Sequence, residues 1–541
     1  MPSCIEKMIY KGPVDVLPLF DKYIKKNNYN GEKHQKEGIL WCKNIEINGI
    51  TLNGKKYFSG ILGDEMGLGK TAQMIGLILE NFKLHTLIIV PRGLLEQWTE
   101  TIRKTLNHEP LIYHGVNKKT VSLPSDLEGS AIVLSTYGTF SQEDKKGNFG
   151  LLHKMKWDRI IFDEAHHLRN INTKNNKAGK ACKSSHKWLI TGTPIQNGIK
   201  DFYGLCEIIG LDKDYYRRNV EKIAENLYLK RTKKEIKLNL SEMEVKKEIV
   251  RWETEKEKEF AEDVHYLLNF SEIKEMRENN VFTKAVMHHF ALLHKARQTC
   301  IDTSLMEENL KMMKELNLID KKIDIELINS FQSKLNAVCK KIIKNKNNGY
   351  KKLVFCHFLH EINKIEKVVR AENMNVKIFN GSTTISEREN ILNDKSIDII
   401  ILQINTGCEG LNLQEFNEIY FISAHWNPAI EEQAIARCHR MGQKKKVIVY
   451  KFEMRPFDEE CKTKSLDNYI DVVQKRKRKD MKIIEKAENL LDETGDIIEC
   501  AICLDTVTNK DYEILDCNHT FHKRCIVEWM SRNPSCPLCG C

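Results

Sequence analysis

Short strand-like runs, mostly apolar, alternate with helix-like segments in two stretches of the chain, and this rhythm predicts parallel sheets with crossover helices. In the first stretch, residues 30–235, strand-like runs fall at Thr86–Val90, Ala131–Ser135, Arg159–Phe162 and Trp188–Thr191. In the second, residues 333–455, they fall at Leu353–Cys356, Val376–Phe379, Ile397–Gln403, Glu418–Ser423 and Val447–Phe452. Residues 236–332 lie between them, rich in Glu, Lys, Leu and Met and poor in Gly and Pro, and read as helical. An N-terminal segment, 1–29, precedes the first stretch. A charged linker with helical stretches, 456–496, follows the second and leads to a small Cys/His module at 497–541. A chain of 541 residues is too long for one ordinary core, so several domains are expected.

The densest chemical signal is Asp64-Glu65-Met66-Gly67-Leu68-Gly69-Lys70-Thr71, directly after the apolar Ile61-Leu62. Glycines let backbone amides approach phosphate oxygens with no side chain in the way. Lys70 can then reach the outer phosphates of a nucleotide, and the Thr71 hydroxyl can hold Mg²⁺. The apolar segment Ala72–Leu79 predicts a helix whose N-terminal amides face the anion. The strict phosphate-loop pattern has Gly where this chain has Asp64.

A second signal is Ile160-Ile161-Phe162-Asp163-Glu164-Ala165-His166. A strand ending in two carboxylates sets them at the C-terminal edge of a sheet, where open α/β folds bind ligands. Asp163 would hold Mg²⁺, largely through water, and Glu164 would orient and deprotonate the attacking water. An Asp-Glu pair by itself reads as solvated acids at a strand end. Downstream of a Gly-Lys-Thr loop it reads as the hydrolytic half of an ATP site.

Composition narrows the class. Hydrophobic residues make up 41% and charged residues 30%, a soluble, globular balance with room for large cores. No run is apolar enough to span a bilayer, and Met1–Asp15 has no secretion core, so an intracellular protein without a membrane partner is expected. The net charge of +10, from 85 basic and 75 acidic side chains, permits an anionic partner such as nucleic acid without requiring one. Of 17 cysteines, ten are scattered from Cys4 to Cys461 and read as free thiols; the other seven crowd into the last 42 residues and call for a metal.

Taken in order, these motifs make the chain resemble a superfamily 2 helicase-type ATPase, specifically the Swi/Snf family of double-stranded DNA translocases. Lys33-His34-Gln35-Lys36-Glu37-Gly38 resembles the segment whose glutamine reads adenine, which gives that role to Gln35. The run LIIVPRGLLEQW at 87–98 resembles the next lobe-one motif, and Ser135-Thr136-Tyr137 a motif that touches the DNA backbone. Thr191–Asn197 resembles the motif coupling nucleotide state to DNA grip, and Leu229-Lys230-Arg231-Thr232-Lys233 the end of lobe one. In the second stretch, Gly410-Leu411-Asn412-Leu413 and Trp426-Asn427-Pro428 are close to the family pattern, although Cys408-Glu409 departs from it. The resemblance makes Trp426 a DNA contact and LLHKARQTC at 292–300 part of a helical protrusion.

QAIARCHRMGQ at 433–443 supplies, by the same resemblance, two arginine fingers, Arg437 and Arg440, with Gln433 at the nucleotide. A guanidinium fork suits a phosphoryl group gaining charge in the transition state, and a finger is worth on the order of 10³–10⁵ in rate. Their spacing of three places both on one helical face. The implied fold is α/β, two RecA-like parallel-sheet lobes with a helical insertion. The implied activity is ATP hydrolysis, with ATP and Mg²⁺, coupled to movement along duplex DNA without strand separation.

In the terminal module the spacing is Cys500-x₂-Cys503, Cys517-x-His519-x₂-His522-x₂-Cys525 and Cys536-x₂-Cys539. Eight ligands in four pairs suit two tetrahedral Zn²⁺ sites, and so small a module depends on metal to fold. The pattern resembles a cross-brace RING finger. That resemblance interleaves the pairs: Cys500, Cys503, His522 and Cys525 at one zinc, Cys517, His519, Cys536 and Cys539 at the other, with Cys541 left over. It also implies docking of a ubiquitin-conjugating enzyme on Ile502, Trp529 and Pro537, hence transfer of ubiquitin. Gly540 stands where many active members carry a basic residue. Swi/Snf motors joined to a RING resemble the postreplication-repair and helicase-like transcription factor branch, where the RING usually sits between the lobes.

Three functions are therefore expected to compete. One is a duplex DNA translocase with RING-dependent ubiquitin ligase activity in DNA repair, chromatin remodelling or transcription. Another is a strand-separating helicase. The third is an ATPase fold whose RING serves only protein interaction. Lys475–Lys479 and Lys444–Lys446 read either as solvated faces or as phosphate-contacting stripes, the former also as a nuclear import signal. The expected location is the nucleus, or a cytoplasmic virus factory if this compact, Lys- and Asn-rich chain is viral.

Overall fold

The computed structural model describes residues 17–26, 32–115, 118, 121, 123–196, 198–237, 240–266, 284–307, 311, 325–381, 383–404, 413–440, 442–457, 465–481, 500, 502, 507, 512–515, 520–530 and 536–537. The chain divides into two compact units, Met1–Leu238 with Arg476–Cys541, and Asn239–Lys475.

In the first unit, β1 (Ile50–Leu52) and β2 (Lys55–Tyr57) form an antiparallel hairpin turned through Asn53 and Gly54, both at positive φ. The main sheet holds β3 (Gly60–Leu62), β4 (Thr86–Val90), β5 (Leu111–Ile112), β6 (Ile132–Thr136), β7 (Trp157–Asp163), β8 (Ser184–Ile190) and β9 (Tyr228–Leu229). Their order is β5-β6-β4-β7-β8-β3-β9, and every pairing is parallel. The central strands are rich in apolar residues because both faces are covered. Successive side chains alternate between two cores: Ile61, Leu87, Ile89, Ile160 and Phe162 enter one, while Leu62, Ile88, Val90, Ile161 and Ile190 enter the other.

In the second unit, β10 (Met243–Val250), β11 (Lys351–Cys356), β12 (Val376–Phe379), β13 (Ile399–Gln403), β14 (Phe416–Phe421) and β15 (Val447–Met454) form an all-parallel sheet in the order β10-β15-β14-β11-β13-β12. Val354, Ile399, Ile401 and Tyr420 face one core, and Leu353, Phe355, Ile400 and Ile419 the other. The two parallel-sheet lobes expected from the sequence are present.

β10 corrects the reading of 236–332 as helical. It pairs with β15 over eight residues, Met243↔Val447 through Val250↔Met454. As an edge strand it exposes Met243, Val245 and Ile249, so charged residues crowd a sequence that is locally a strand. The period-two spacing of those three residues was the available signal. Helices Glu255–Tyr266, Lys284–Ile301 and Ile325–Asn329 occupy the rest of the described segment. The terminal module contributes a short antiparallel pair, β16 (Glu513–Ile514) and β17 (Thr520–Phe521), followed by the helix Lys523–Met530.

One buried ion pair ties the helix Lys33–Asn48 to the first sheet. On β7, Arg159 donates from Nε and Nη2 to the two Glu46 carboxylate oxygens, each at 2.6 Å. Trp188 Nε1 and Asn81 Nδ2 complete the shell around Glu46 at 2.9 and 2.7 Å. Burial alone would raise the Glu46 carboxyl, but the Arg159 hydrogen bonds and charge outweigh it and hold it below the usual carboxylate range. Removing one partner of such a pair strands the other charge in the core. Arg159→Leu should therefore cost about 3–5 kcal/mol in chemical denaturation, with part recovered when Glu46 is also made apolar.

Candidate nucleotide site

Three chemically distinct loops leave the first sheet at one edge. Strands β7, β8 and β3 are neighbours, with Asp163 in register with Ile190 and Ile190 with Leu62. Asp163 closes β7, Thr191 follows β8, and the phosphate loop follows β3, so a parallel sheet sets all three at the C-terminal ends of adjacent strands.

The loop itself turns through Gly67 and Gly69, at φ +91° and +76°, and the helix Lys70–Glu80 begins directly after it. Left-handed backbone at both positions is the conformation glycine adopts without strain. Lys70 curls over the loop and donates from Nζ to the Asp64 carbonyl at 2.6 Å. Gly192 packs against the same loop: a Cβ there would lie 2.8 Å from Met66 Cγ and 3.4 Å from Lys70 Nζ. Thr191 N–H donates to the Leu62 carbonyl, and Thr193 N–H to the Thr191 hydroxyl. The motif 191–196 is thus built into the floor of the phosphate loop, while Asn197 lies outside the described residues.

Asp163 is buried and held on both oxygens. Trp98 Nε1 donates to Oδ2 at 2.7 Å, and the Glu164 N–H donates to Oδ1 at 2.9 Å. Burial first, and the neighbouring Glu164 charge second, push the Asp163 carboxyl up to about 6; the Trp98 hydrogen bond and Lys70 act in the opposite direction. A buried carboxylate under this strain suits a divalent cation, which would relieve the desolvation and the Glu164 repulsion together. Glu164 sits at φ +49°, ψ +50°, a left-handed conformation uncommon for side-chain-bearing residues. Its Oε2 lies 3.3 Å from His166 Nδ1. With the loop amides, Lys70 and Thr71, the donor set fits a magnesium-bound nucleoside triphosphate.

Asp64 behaves differently from the rest of its loop. Its carboxylate turns inward to Arg231, which donates from Nε at 3.0 Å and Nη2 at 2.5 Å, and to Gln73 Nε2 at 2.9 Å. Gln35 is buried, its amide nitrogen 3.4 Å from the Leu68 carbonyl. Glu65 accepts from the Lys233 N–H at 2.8 Å.

Ser135, Thr136 and Tyr137 are buried, and their side chains are committed internally. Ser135 Oγ donates to the Tyr113 carbonyl at 2.8 Å, Thr136 Oγ1 lies 3.1 Å from His114 Nδ1, and Tyr137 Oη donates to the Asp163 carbonyl at 2.7 Å. Of the three, Tyr137 braces the backbone at the acidic strand end. Trp98 and Arg231 are the functional residues that sequence reasoning missed. Both stand inside motifs recognised as family-like, yet neither motif told which residue acts.

In the second unit, Gln433 is buried in the helix Pro428–Cys438, which also carries Arg437. That helix ends at Cys438, and His439 takes φ −90°, ψ +77°, so Arg440 follows in a bend. The expectation that both arginines share one helical face is corrected: the helix stops between them. Trp426 is half-buried, with the Arg297 guanidinium 5.2 Å from its ring and Tyr469 edge-on at 6.2 Å. Residues 405–412, including Gly410-Leu411-Asn412, lie outside the described residues.

In the terminal module, the ligand atoms of Cys500, His522 and Cys525 lie within 4.8 Å of one another, a spacing that fits one tetrahedral zinc. Cys536 is buried beside them in a core with Val507, Phe521 and Ile526. Cys503, Cys517, His519 and Cys539 lie outside the described residues. Ile502 and Pro537 are half-buried and Trp529 is exposed.

The fold and site define a phosphate-loop ATPase core of the helicase-like kind. The SNF2-related domain family matches residues 34–305, just over half of the chain, so the protein belongs to that family. The helicase conserved C-terminal domain matches 333–442, and the ring finger domain 498–540. Among curated proteins, an uncharacterized ATP-dependent helicase of Mycoplasma genitalium is 26% identical over 78% of this chain and 40% of its own length. A probable global transactivator of Orgyia pseudotsugata multicapsid polyhedrosis virus is 27% identical over 82% of this chain and 89% of its own. The protein CHROMATIN REMODELING 24 of Arabidopsis thaliana is 26% identical over 77% and 44%. The chain thus spans less than half the length of two of these relatives and most of the viral one. A solved structure, the Sulfolobus solfataricus SWI2/SNF2 ATPase core in complex with dsDNA, is 23% identical, covers 84% of this chain and 95% of that one, and has a TM-score of 0.36, at which the likeness supports no structural argument.

A hydrogen bond to a charged group contributes about 1.5–3 kcal/mol. Trp98→Phe keeps the ring and removes the donor to Asp163. It should lower ATP turnover at least about tenfold and raise the Mg²⁺ concentration needed for half-maximal rate. A Mg²⁺ titration of steady-state hydrolysis checks this, with a melting curve to establish that the variant is folded at the assay temperature.

Proposed function

We propose that the protein is an ATP-driven translocase on double-stranded DNA that also carries RING-dependent ubiquitin ligase activity. One observation carries the motor reading: the phosphate loop, Asp163-Glu164 and the Thr191–Thr193 turn converge at the ends of three adjacent parallel strands. In this reading the loop amides and Lys70 bind the ATP phosphates, and Thr71 and Asp163 would hold Mg²⁺, which would supply charge neutralisation to the phosphates when bound. Glu164 takes the proton of the attacking water. Arg437 and Arg440 of the second unit act as fingers on the transferring group. Removal of the γ-phosphate ends the differential binding on which each step of movement rests.

Membership of the SNF2-related family and the basic net charge of +10 support DNA as the track. Contacts mainly to phosphates make grip salt-dependent and weakly sequence-specific. The names of the Arabidopsis and viral relatives favour work on chromatin or transcription, and with it a nuclear location or, for a viral chain, the site of viral replication.

The ligase half rests on the ring finger match and on the apolar surface that the terminal module presents. Val527, Trp529 and Met530 are exposed on the helix Lys523–Met530, an arrangement suited to docking a ubiquitin-conjugating enzyme together with Ile502 and Pro537. Two zinc ions complete the module.

Hydrolysis should be low without DNA, little raised by single strands and strongly raised by duplex, and Glu164→Gln should abolish it; a triplex strand should be displaced while a forked duplex stays paired. Equal stimulation by every polymer, or unwinding of the fork, overturns the translocase. For the module, elemental analysis should find two zinc ions per chain. Ile502→Ala should suppress ubiquitin-chain formation across several conjugating enzymes without changing ATP hydrolysis.

A further inference from the structure

The helix carrying the adenine-facing segment and the phosphate loop belong to different parts of the chain. At the helix start they are joined by side chains. His34 Nε2 lies 2.9 Å from the Leu68 carbonyl in the loop, and Gln35 Nε2 lies 3.4 Å from the same oxygen. Beneath them sits Arg231, two residues past β9 and almost fully buried. Its Nη1 donates to the His34 carbonyl at 2.5 Å, while Nε and Nη2 grip both oxygens of Asp64 at the start of the loop. Nη2 also reaches Gln73 Oε1 at 3.1 Å, and Gln73 Nε2 returns to Asp64. Asp64 and Gln73 are wholly enclosed.

Space for this cluster comes from Gly38, one turn along the helix. A Cβ there would lie 1.9 Å from Gln73 Oε1 and 2.8 Å from Arg231 Nη2. A planar fork with five donors in fixed directions can satisfy a carboxylate and a carbonyl at once; an ammonium on a flexible stem cannot hold that geometry. The strict phosphate-loop residue, glycine, would give Arg231 nothing to grip.

We propose that Arg231, acting through Asp64, is a positioning residue that fixes the distance between base recognition and triphosphate binding, and so sets the preference for ATP. A ligand spanning two subsites gains from both only when they are held at its own length. Loosening the clamp weakens the whole nucleotide while leaving a fragment that uses one subsite untouched. The assignment of the loop to ATP rests on the function proposed above, and that of Gln35 to the base on the family resemblance.

The test is equilibrium binding of fluorescent mant-ATP and mant-GTP to the full chain, with inorganic tripolyphosphate as competitor. Asp64→Asn keeps volume and an acceptor but removes the charge, Arg231→Lys keeps the charge but removes the fork, and Gly38→Ala crowds the clamp from the helix side. Each should weaken mant-ATP about tenfold and narrow the ATP-to-GTP ratio, with tripolyphosphate affinity unchanged and the double variant D64N/R231K no worse than either single one. A melting curve identifies any variant that fails to fold, and the isosteric Asp64→Asn stands in for it. An unchanged ATP-to-GTP ratio, a loss of tripolyphosphate affinity equal to that of ATP, or additive effects overturn the clamp. Because binding needs no turnover, these outcomes are independent of the DNA-stimulated hydrolysis that tests the parent reading.

Discussion

Parallel strand direction is the constraint from which the nucleotide site follows. When every strand of a sheet runs the same way, each loop that follows a strand leaves at one edge, and the chemistry there depends on which strands are adjacent. In the first unit β8 lies between β7 and β3, so its trailing Thr191-Gly192-Thr193 turn is placed between the acids and the phosphate loop. Burial of both faces locks this arrangement, because a one-residue slip of β8 would move Trp188 and Ile190 out of one core and Leu189 out of the other. The site is therefore held in place by packing that never touches a ligand.

A second layer of order comes from polar groups enclosed beneath the loops. Arg159 with Glu46, Arg231 with Asp64, and Trp98 with Asp163 each set a donor of fixed geometry against a buried carboxylate. Bonds of this kind contribute to stability, but their directional demand is strict, and an unsatisfied partner is costly. They also contribute precision. The Trp98 indole fixes one Asp163 oxygen, and the Tyr137 hydroxyl holds the backbone at the same residue. The strained Glu164 backbone can then persist because its surroundings over-determine it.

The strands of both sheets were legible because apolar residues dominate them: Thr86–Val90 and Val376–Phe379 appear as expected, most others shift by a residue or two at their ends, and β8 begins four residues earlier, through the polar Ser184–Lys187. β5 and β9 are two residues long and carry no such run, and β10 hides apolar positions among lysines and glutamates. The loop and acid motifs were legible because their backbone demands glycine or a strand end. What sequence could not supply was the direction of side chains. Asp64 reads as a loop residue and points into the core; Ser135, Thr136 and Tyr137 read as a DNA-facing triplet and are enclosed. Spacing suggested that Arg437 and Arg440 share a face, yet spacing carries that meaning only while the helix continues, and it stops at Cys438.

The terminal module obeys a different rule from the two sheet-built units. Each sheet draws its register from side chains packed on two faces, whereas the module gathers Val507, Phe521 and Ile526 around three buried cysteines. Apolar burial on that scale cannot offset the entropy of ordering the chain, so the converging Cys500, His522 and Cys525 must contribute through a metal. The exposed Val527, Trp529 and Met530 then gain a rigid base from Cys525 on the same helix, two residues before Val527, and from His522 just ahead of it. A surface built this way is presented by coordination chemistry and not by a core. It can therefore keep its shape on a module too small to fold by packing alone, and the two sheet-built units need not be altered to carry it.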